Sequence, residues 1–422
     1  MTGTGVTGHP EGWTVRPLGS LLSRPPCYGV NAAASQYAPD APTYVRITDI
    51  SPDGRFAPHP KVSVRHPASA LYLLRRGDLV FARTGASVGK SYLYRSEDGP
   101  LVFAGFLIRI TPDADELDPS YLAYFAQSKQ YWDWVAVTSV RSGQPGINGK
   151  EYAQLPVVVP LIDEQRAIVE SLSTVERLIT SLAQQVEKKR DIKEAVMQQL
   201  LTGRTRLPGY LGEWPTVRLG DHVAYLKTAT SSRAELSMHA GVKYLHYGDI
   251  HTATGVKLDA ISAEMPRLNA ERIRAGRLRV GDLVFVDASE DSVGVGKSVE
   301  IVGVPGFGVI AGLHTIAARF DKQVLVDGFK AYLQFCPEFR RALLRLAAGT
   351  KVLATTRGHV SSVVMRLPGP EEQRAIATVL SDMDAEIAAL SARLQKTTDI
   401  KRGMLQELLS GRARLVRHEV AA

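Results

Sequence analysis

Cysteine is scarce in this 422-residue sequence, which contains only Cys27 and Cys336. Two cysteines so far apart indicate neither a disulfide framework nor a cysteine zinc site, and we expect both to be buried packing residues. The chain also lacks any run of 18 apolar residues, which excludes a transmembrane helix. Its first residues, MTGTGVTGHP, lack the charged and apolar regions of a secretory signal. The sequence therefore predicts a cytoplasmic protein without membrane contact.

Catalytic patterns are equally scarce. The histidines show no metal-binding spacing, and no convincing nuclease-type cluster of carboxylates and lysines is present. Gly-Lys-Ser occurs at Gly89 and Gly296, but the glycine that a phosphate-binding loop requires five residues earlier is replaced by Thr84 and Asp291. The tetrapeptide that starts at Asp118, DPSY, is similar to the DPPY motif of adenine methyltransferases, but it lacks a glycine-rich methyl-donor loop at the right distance. A helix start capped by its aspartate explains it better, so no active site is predicted.

The charge balance is mildly basic. Lys and Arg number 51 against 43 Asp and Glu, which gives a formal net charge of +8 at pH 7. This excess favours an anionic partner, although many cytosolic proteins are as basic. The length leaves room for roughly two to four domains with proper cores.

The sequence does contain a long internal repeat. Residues 163–206 read DEQRAIVESLSTVERLITSLAQQVEKKRDIKEAVMQQLLTGRTR, and residues 371–414 read EEQRAIATVLSDMDAEIAALSARLQKTTDIKRGMLQELLSGRAR. Equivalent residues such as Glu164 and Glu372 stand 208 positions apart, with no gap between the copies. A constant offset over this length indicates a duplicated structural unit.

Each copy predicts one long helix that ends at a left-handed glycine, Gly203 or Gly411. Apolar residues recur in alternating steps of four and three, which is the seam of a coiled coil. They are Ile168, Leu172, Val175, Ile179, Leu182 and Val186 in the first copy, and Ile376, Leu380, Met383, Ile387, Leu390 and Leu394 in the second. After a polar interruption near Lys189 and Thr397, the seam is expected to shift to Ile192, Val196 and Leu200, and to Ile400, Met404 and Leu408. A single run of this kind would predict a helical hairpin or a dimerisation coil, whereas two matched copies favour an intramolecular antiparallel pair.

The regions before the two helices are also copies of each other. YVRITDI at Tyr44–Ile50 matches YLHYGDI at Tyr244–Ile250, and LLRRGDLVFAR at Leu73–Arg83 matches RLRVGDLVFVD at Arg277–Asp287. Each region has one helical stretch, at 119–137 and 328–346, among short segments rich in β-branched and aromatic residues. Strands are predicted at 45–50, 78–82, 91–95, 101–110 and 155–159, and at 242–250, 282–286, 298–302, 309–320 and 363–367.

Together these features predict an α+β fold. Two pseudo-repeated globular domains, residues 1–160 and 209–368, would be separated by two long antiparallel coiled-coil helices, residues 161–208 and 369–422.

Two polar loops in each predicted domain carry residue types that bind phosphates and read base edges, since Arg, Gln and Asn can make bidentate contacts. The alternative is that these are ordinary solvated loops. The candidates for DNA binding are Arg83, Thr84, Ser87, Lys90, Arg141, Ser142, Gln144 and Asn148 in the first half, and Ser289, Lys297, Lys351, Thr355 and Arg357 in the second.

The chain resembles the specificity (S) subunit of type I restriction-modification systems. The resemblance is carried by the helix that begins PLIDEQRAI and PGPEEQRAI and ends LLTGR and LLSGR, by GDLVFAR with TGASVGK, and by the SGQPGIN turn. It extends from Trp13 to Leu415. The second half departs from it at Asp287, where the first half has Arg83, and in the loop after Gly349.

This resemblance implies a non-catalytic subunit with two target-recognition domains, each reading one half of a bipartite, asymmetric site in double-stranded DNA. It implies two methyltransferase (M) subunits, which carry S-adenosylmethionine and methylate adenine, and restriction (R) subunits, which use ATP and Mg²⁺ for cleavage. No cofactor is expected in this chain itself. Two alternatives stay open: a DNA-reading subunit of a related defence system, and an enzyme such as a self-contained DNA methyltransferase or a fused nuclease.

Overall fold

The computed structural model describes residues 10–239, 241–347 and 353–415, which fall into two compact units. Unit 1 comprises residues 1–183 and 392–422, and unit 2 comprises residues 184–391. Both units contain helices and strands, so the predicted α+β class is confirmed. No helix in the described ranges is long and apolar enough to cross a membrane.

Unit 1 has ten strands in its described part: β1 Thr14–Pro17, β2 Leu22–Tyr28, β3 Ser35–Gln36, β4 Thr43–Val45, β5 Val62–Ser63, β6 Leu79–Ala82, β7 Ser91–Leu93, β8 Leu101–Phe103, β9 Leu107–Pro112 and β10 Pro156–Val159. One sheet has the order β2-β9-β6-β7 and is antiparallel throughout. A second has the order β3-β5-β4-β8, in which β4 and β8 are parallel. β1 pairs with β10, so the first strand of the unit closes on the last.

The helices of unit 1 before the long helix are α1 Pro119–Phe125, α2 Lys129–Thr138 and α3 Gly149–Ala153. The carboxylate of Asp118 accepts hydrogen bonds from the backbone N–H groups of Ser120 and Tyr121 (2.7 and 3.1 Å), which confirms the predicted cap. The single helix predicted over 119–137 was wrong. Ser128 caps a second helix through the N–H of Tyr131, and the chain therefore restarts there.

Unit 2 has twelve strands in its described part: β11 Thr216–Arg218, β12 Val223–Leu226, β13 Val242–Leu245, β14 Lys257–Asp259, β15 Arg267–Leu268, β16 Leu283–Val286, β17 Ala288–Ser289, β18 Ser298–Gly303, β19 Val309–Ala311, β20 Thr315–Phe320, β21 Leu353–Ala354 and β22 Val364–Arg366. A five-stranded sheet has the order β12-β20-β16-β18-β14, and a three-stranded sheet has the order β15-β13-β19. β11 closes on β22, and β17 pairs with β21.

Three short or medium helices belong to unit 2: α5 Tyr247–Thr252, α6 Pro337–Leu346 and α7 Arg357–Ser362. The helix predicted over 328–346 begins instead with a 3-10 segment, Lys330–Phe335, and becomes α6 only at Pro337. Proline disfavours a helical conformation in the residue before it, and Cys336 is accordingly extended (φ −65°, ψ 121°). Cys336 is buried as predicted, whereas Cys27 is only partly buried.

Four predicted strands are interrupted in the structure by turns or helical turns. Turns at residues 104–106 and 312–314 divide the predicted strands 101–110 and 309–320 into β8 with β9 and β19 with β20. The segments after β4 and β13 form helical turns because Asp49 and Asp249 each accept a hydrogen bond from the backbone N–H three residues earlier (2.9 Å in both). A carboxylate in this position accepts a backbone N–H group at the start of a helical turn, and this contact does not occur in an extended strand.

The two long helices are α4 Ile162–Leu200 and α8 Pro370–Leu409. Gly203 and Gly411 follow them with φ of 67° and 75°, as predicted for left-handed stops. The first seam positions are buried, and Ile168 and Leu172 join the core of unit 1 while Ile376 and Leu380 join that of unit 2. The predicted continuation of the seam is partly wrong, since Ile192 and Ile400 are 41% and 49% exposed.

Each unit holds its portions of α4 and α8 with a matching Trp–Glu–Arg cluster. In unit 1, Glu164 accepts hydrogen bonds from the indole of Trp13 (2.9 Å) and from Arg414 (3.1 and 2.9 Å). In unit 2, Glu372 accepts from Trp214 (3.0 Å) and from Arg206 (2.6 Å). The glutamate lies at the start of one helix and the arginine follows the other, so the cluster joins opposite helix ends within its unit.

A second matching set explains why the seam shifts. Lys401 forms an ion pair with Glu176 in unit 1, and the hydroxyl of Tyr124 donates to the same carboxylate (3.0 Å). In unit 2, Lys193 pairs with Asp384, to which Tyr332 donates (2.7 Å). These lysines follow Ile192 and Ile400 directly, and their inward orientation turns the two isoleucines outward.

Candidate nucleic-acid interface

In unit 1 the two polar loops predicted from the sequence lie side by side. Thr84 forms an antiparallel bridge with Gly146, and the N–H of Gly85 donates to the carbonyl of Pro145 (3.0 Å). The N–H of Ile147 donates to the carbonyl of Arg83 (2.8 Å). Residues 83–90 and 141–148 therefore present one combined surface, which we call the unit 1 loop pair.

Unit 2 joins its loops in the same way. β17 pairs with β21, and the N–H of Thr355 donates to the carbonyl of Asp287 (2.7 Å). Residues 287–297 and 353–357 form the unit 2 loop pair. The predicted contact residue Lys351 lies outside the described residues.

Several predicted contact residues of unit 1 are accessible on its loop pair. The guanidinium of Arg83 lies 5.0 Å from the centre of the Tyr28 ring, a cation–π distance. Ser142 and Gln144 are exposed, and Thr84 is half-buried. Gly85 has φ of 72°, and a Cβ atom at this position would lie 2.9 Å from the Gln144 amide nitrogen. The positive φ favours glycine where the two loops meet, whereas the Gln144 amide is the end of a flexible side chain and could move aside.

Other predicted contact residues of unit 1 have partners inside the protein. Lys90 donates to the carbonyl of Ile50 (3.3 Å), and Nη2 of Arg141 donates to both carboxylate oxygens of Glu151 (2.6 and 2.7 Å). The side chain of Asn148 caps α3, and Ser87 lies half-buried in a single 3-10 turn. These residues shape the loops.

The predicted residues of unit 2 are similarly engaged. Lys297 donates to the carbonyl of His251 (2.5 Å), matching the contact of Lys90, and Arg357 donates to the carbonyl of Leu226 (2.9 Å). Ser289 and Thr355 are buried at 5% and 4% exposure. The Gly-Lys-Ser segments of both units run into a strand, β7 or β18, whereas a phosphate-binding loop runs into a helix.

Two exposed rings beside the loop pairs were missed in the sequence. The carbonyl of Phe106 accepts the N–H of Arg83 (3.0 Å), and the carbonyl of His314 accepts the N–H of Asp287 (3.2 Å). Phe106 is 58% exposed, and the side chain of His314 is 52% exposed. The Ala-Gly dipeptide that precedes both turns repeats in the sequence, and a search for residues following it would have found them.

Beside the unit 2 loop pair lies an open pocket of about 430 Å³, which we call the histidine pocket. Its side chains are mainly rings and acids, namely Tyr247, His251, His314, Glu290 and Asp291, together with Ala288 and Ser289. Burial lowers the pKa of the neighbouring His246, which favours its neutral form near pH 7. The two carboxylates repel a phosphate group and can accept hydrogen bonds from a donor on a ligand. In the described ranges no group of three or more His, Cys, Asp or Glu residues is placed to hold a metal ion.

Comparisons with known proteins agree with this geometry. Residues 68–189, which include the unit 1 loop pair and the first part of α4, match the family described as type I restriction modification DNA specificity domain. The putative type I restriction enzyme MjaX specificity subunit of Methanocaldococcus jannaschii is 23% identical over 368 residues, covering 82% of this chain and 80% of the relative. The MjaVIII specificity subunit of the same organism is 20% identical, covering 96% and 94%.

A solved chain from a study of complex assembly and conformational transition of the type I R-M system shares the fold. It has a TM-score of 0.58 and 17% identity, covering 96% of this chain and all of that chain. Over most of its length the chain is similar to type I restriction enzyme specificity subunits, and residues 68–189 match the type I DNA specificity domain.

Proposed function

We propose that this chain is the DNA-reading subunit of a type I restriction-modification complex. It would recognise a bipartite, asymmetric site in double-stranded DNA and direct adenine methylation and cleavage by partner subunits. The observation that carries the proposal is that both units build the same pair of adjoining loops but place different side chains on them. Two loop pairs with the same backbone arrangement but different side chains suit two different half-sites.

The internal contacts support a pseudo-repeated architecture. The Trp–Glu–Arg clusters and the Lys–acid–Tyr sets recur at equivalent residues of the two units. We therefore assign target-recognition domains to residues 1–160 and 209–368, and an antiparallel coiled coil to residues 161–208 and 369–422. In this arrangement each domain is held by the start of one helix and the end of the other.

Within the first domain, Arg83, Thr84, Ser142 and Gln144 are assigned to DNA contact because they lie accessible on the loop pair. Lys90, Lys297, Arg141, Asn148 and Arg357 are assigned to holding the loops, because their side chains bond to the protein itself. The first group would determine affinity and base preference. The second would act through loop shape.

The chemistry is assigned to partners: two M subunits with S-adenosylmethionine, and R subunits with ATP and Mg²⁺. The DPSY segment supports this division, since Asp118 is occupied as a helix cap and Tyr121 is buried with its hydroxyl bonded to the carbonyl of Val158 (2.8 Å). Neither side chain is free to grip a flipped base.

The proposal is tested by expressing the chain with and without the M protein encoded beside it, in cells that lack other adenine methylation. The pair should produce methylated adenine in one bipartite motif, and the chain alone should produce none. Methylation by a rigorously M-free preparation would show an enzyme. Absence of any sequence-specific DNA binding by the assembled complex would contradict the assignment as a DNA reader.

A further inference from the structure

One turn in each unit occupies the same position against its loop pair but presents a different ring. The strand registers match, because Ala82 pairs with Leu107 in unit 1 and Val286 pairs with Thr315 in unit 2. The residues just before these pairs on the second strand are Phe106 and His314. Each is fixed by the backbone hydrogen bond that its carbonyl accepts from the loop pair.

The backbone at His314 adopts a strained conformation. Its φ is 58°, and no other non-glycine residue in the described part of the chain has a positive φ. This conformation costs about 1 kcal/mol for an ordinary side chain and is concentrated at functional sites. Glycine would remove this strain, so the presence of histidine here points to a role for its ring.

Contacts around His314 orient the ring while leaving half of it in solvent. It lies edge-on to Tyr247, with ring centres 5.4 Å apart. Its Nδ1 atom is 3.3 Å from Oδ1 of Asp287, a buried oxygen, whereas the Asp287 side chain as a whole is 34% exposed. The exposed part of this carboxylate, beside an oriented histidine, can accept a hydrogen bond from a donor on a ligand.

The equivalent pair in unit 1 has the opposite chemistry. Phe106 is apolar, and Arg83 stands where unit 2 has Asp287 and can only donate hydrogen bonds. In the major groove, arginine pairs with guanine, and phenylalanine contacts the thymine methyl group. Aspartate instead accepts from an exocyclic amino group, as on cytosine or adenine. The same frame therefore carries two different reading surfaces.

We propose that Phe106 and His314 contact bases directly and, with Arg83 and Asp287, determine which bases each half-site contains. Unit 2 would read a base with an exocyclic amino group through His314 and Asp287. Unit 1 would read guanine or thymine through Arg83 and Phe106. This inference rests on the proposed function, because it specifies the bases that the DNA reader selects.

The test is methylome sequencing of cells that express the M partner with the wild-type chain, with Phe106→Ala or with His314→Asn. Asparagine tolerates a positive φ, and His314→Gly provides a second variant without backbone strain. Phe106→Ala should relax base preference in one half-site only, and His314→Asn and His314→Gly in the other only, so each variant controls for the other.

Equilibrium binding to duplex DNA carrying the mapped wild-type site gives an independent measure. Each variant should bind roughly tenfold more weakly, with an unchanged slope of log affinity against log salt, because no phosphate contact is lost. An unchanged motif and affinity in folded variants, or a change in both half-sites with either variant, would overturn the inference. A wild-type complex that methylates no bipartite motif would instead remove the proposed function on which it rests.

Discussion

Arg414 donates two hydrogen bonds to Glu164, at 3.1 and 2.9 Å, across 250 positions of sequence. The glutamate is buried at 9% exposure and also accepts from Trp13, so three distant segments meet at one carboxylate. Glu372 has the same role in unit 2 and is 3% exposed. These contacts explain why the helix repeat continues past its glycine stops to a final arginine.

Replacement of either glutamate should therefore destabilise its own unit. Glu164→Gln and Glu372→Gln leave an arginine without its charged partner, and each should lower the midpoint of thermal unfolding by several degrees. Asp163→Asn is the matched control, since Asp163 pairs with Arg166 at 3.6 Å on the surface and is 86% exposed. Equal midpoints for Glu164→Gln and Asp163→Asn would contradict the structural role.

Base preference should separate the loop residues that contact DNA from those that hold the loops. Arg83→Ala should weaken DNA binding roughly tenfold and relax one base of one half-site, because this arginine is proposed to read guanine. Lys90→Ala removes the hydrogen bond to Ile50 and should lower thermal stability with the salt slope intact. If Lys90→Ala reduces the slope while Arg83→Ala changes neither slope, affinity nor base preference, the two roles are reversed.

The sequence predicted the long helices well because their signals are local. Apolar spacing and the glycine stops placed both helices within two residues of their observed bounds. Gln165 and Gln373 are visible in the sequence as part of the repeat, but their role depends on hydrogen bonds to backbone groups of other segments. Gln165 is fully buried and bonds to Asp118, Glu116 and Pro160. Gln373 makes the equivalent three contacts in unit 2.

The wrong predictions concern positions where contacts in the folded protein override the local sequence pattern. Ile192 and Ile400 match a helical seam, but the acidic partners of Lys193 and Lys401 turn the lysines inward instead. Likewise, an exposed phenylalanine in a turn carries no signal in a single sequence. Phe106 became a candidate only when the fold placed it against Arg83.

A buried lysine distinguishes the core of unit 2. Lys330 is fully buried, donates to the carbonyl of Gly281 (2.7 Å) and pairs with Asp327 (2.7 Å). Its equivalent in unit 1, 208 positions earlier, is Leu122. Lys330→Met should reduce the free energy of unfolding by about 3 kcal/mol because it leaves buried acceptors unpaired.

Lys322 provides the control for this prediction because it pairs with the same Asp327 from the surface, at 2.6 Å and 59% exposure. Lys322→Met should cost less than about 1 kcal/mol in urea unfolding. Burial would raise the pKa of Asp327, but hydrogen bonds from both lysines outweigh it and lower that pKa below 3.8. The stability that Asp327 contributes should therefore be present above pH 3.8 and lost as pH falls towards its lowered pKa. Equal losses for the two lysine variants would contradict the buried role.

Helix length is predicted to set the spacing of the two half-sites. Insertion of four helix-forming residues after Ala183 together with four after Ser391 would leave the described contacts within each unit unchanged, because the units divide at these points. The insertion adds about 6 Å and a net turn of roughly 40°. Methylome sequencing should show both half-sites unchanged and the gap longer by about one or two base pairs. An active variant with the original gap would mean that the helices do not determine spacing.

The central claim is that each globular region reads one half-site independently, and domain exchange tests it most directly. Residues 216–366 contain both β11 and β22, so their replacement by the equivalent segment of a type I restriction enzyme specificity subunit transfers a closed domain. Trp214 and Glu372 stay with the host and keep the Trp–Glu–Arg cluster. The account predicts that the methylome of cells expressing the hybrid with its M partner will show one half-site replaced by that of the donor and the other retained. A hybrid motif in which both half-sites change, or neither does, would contradict it.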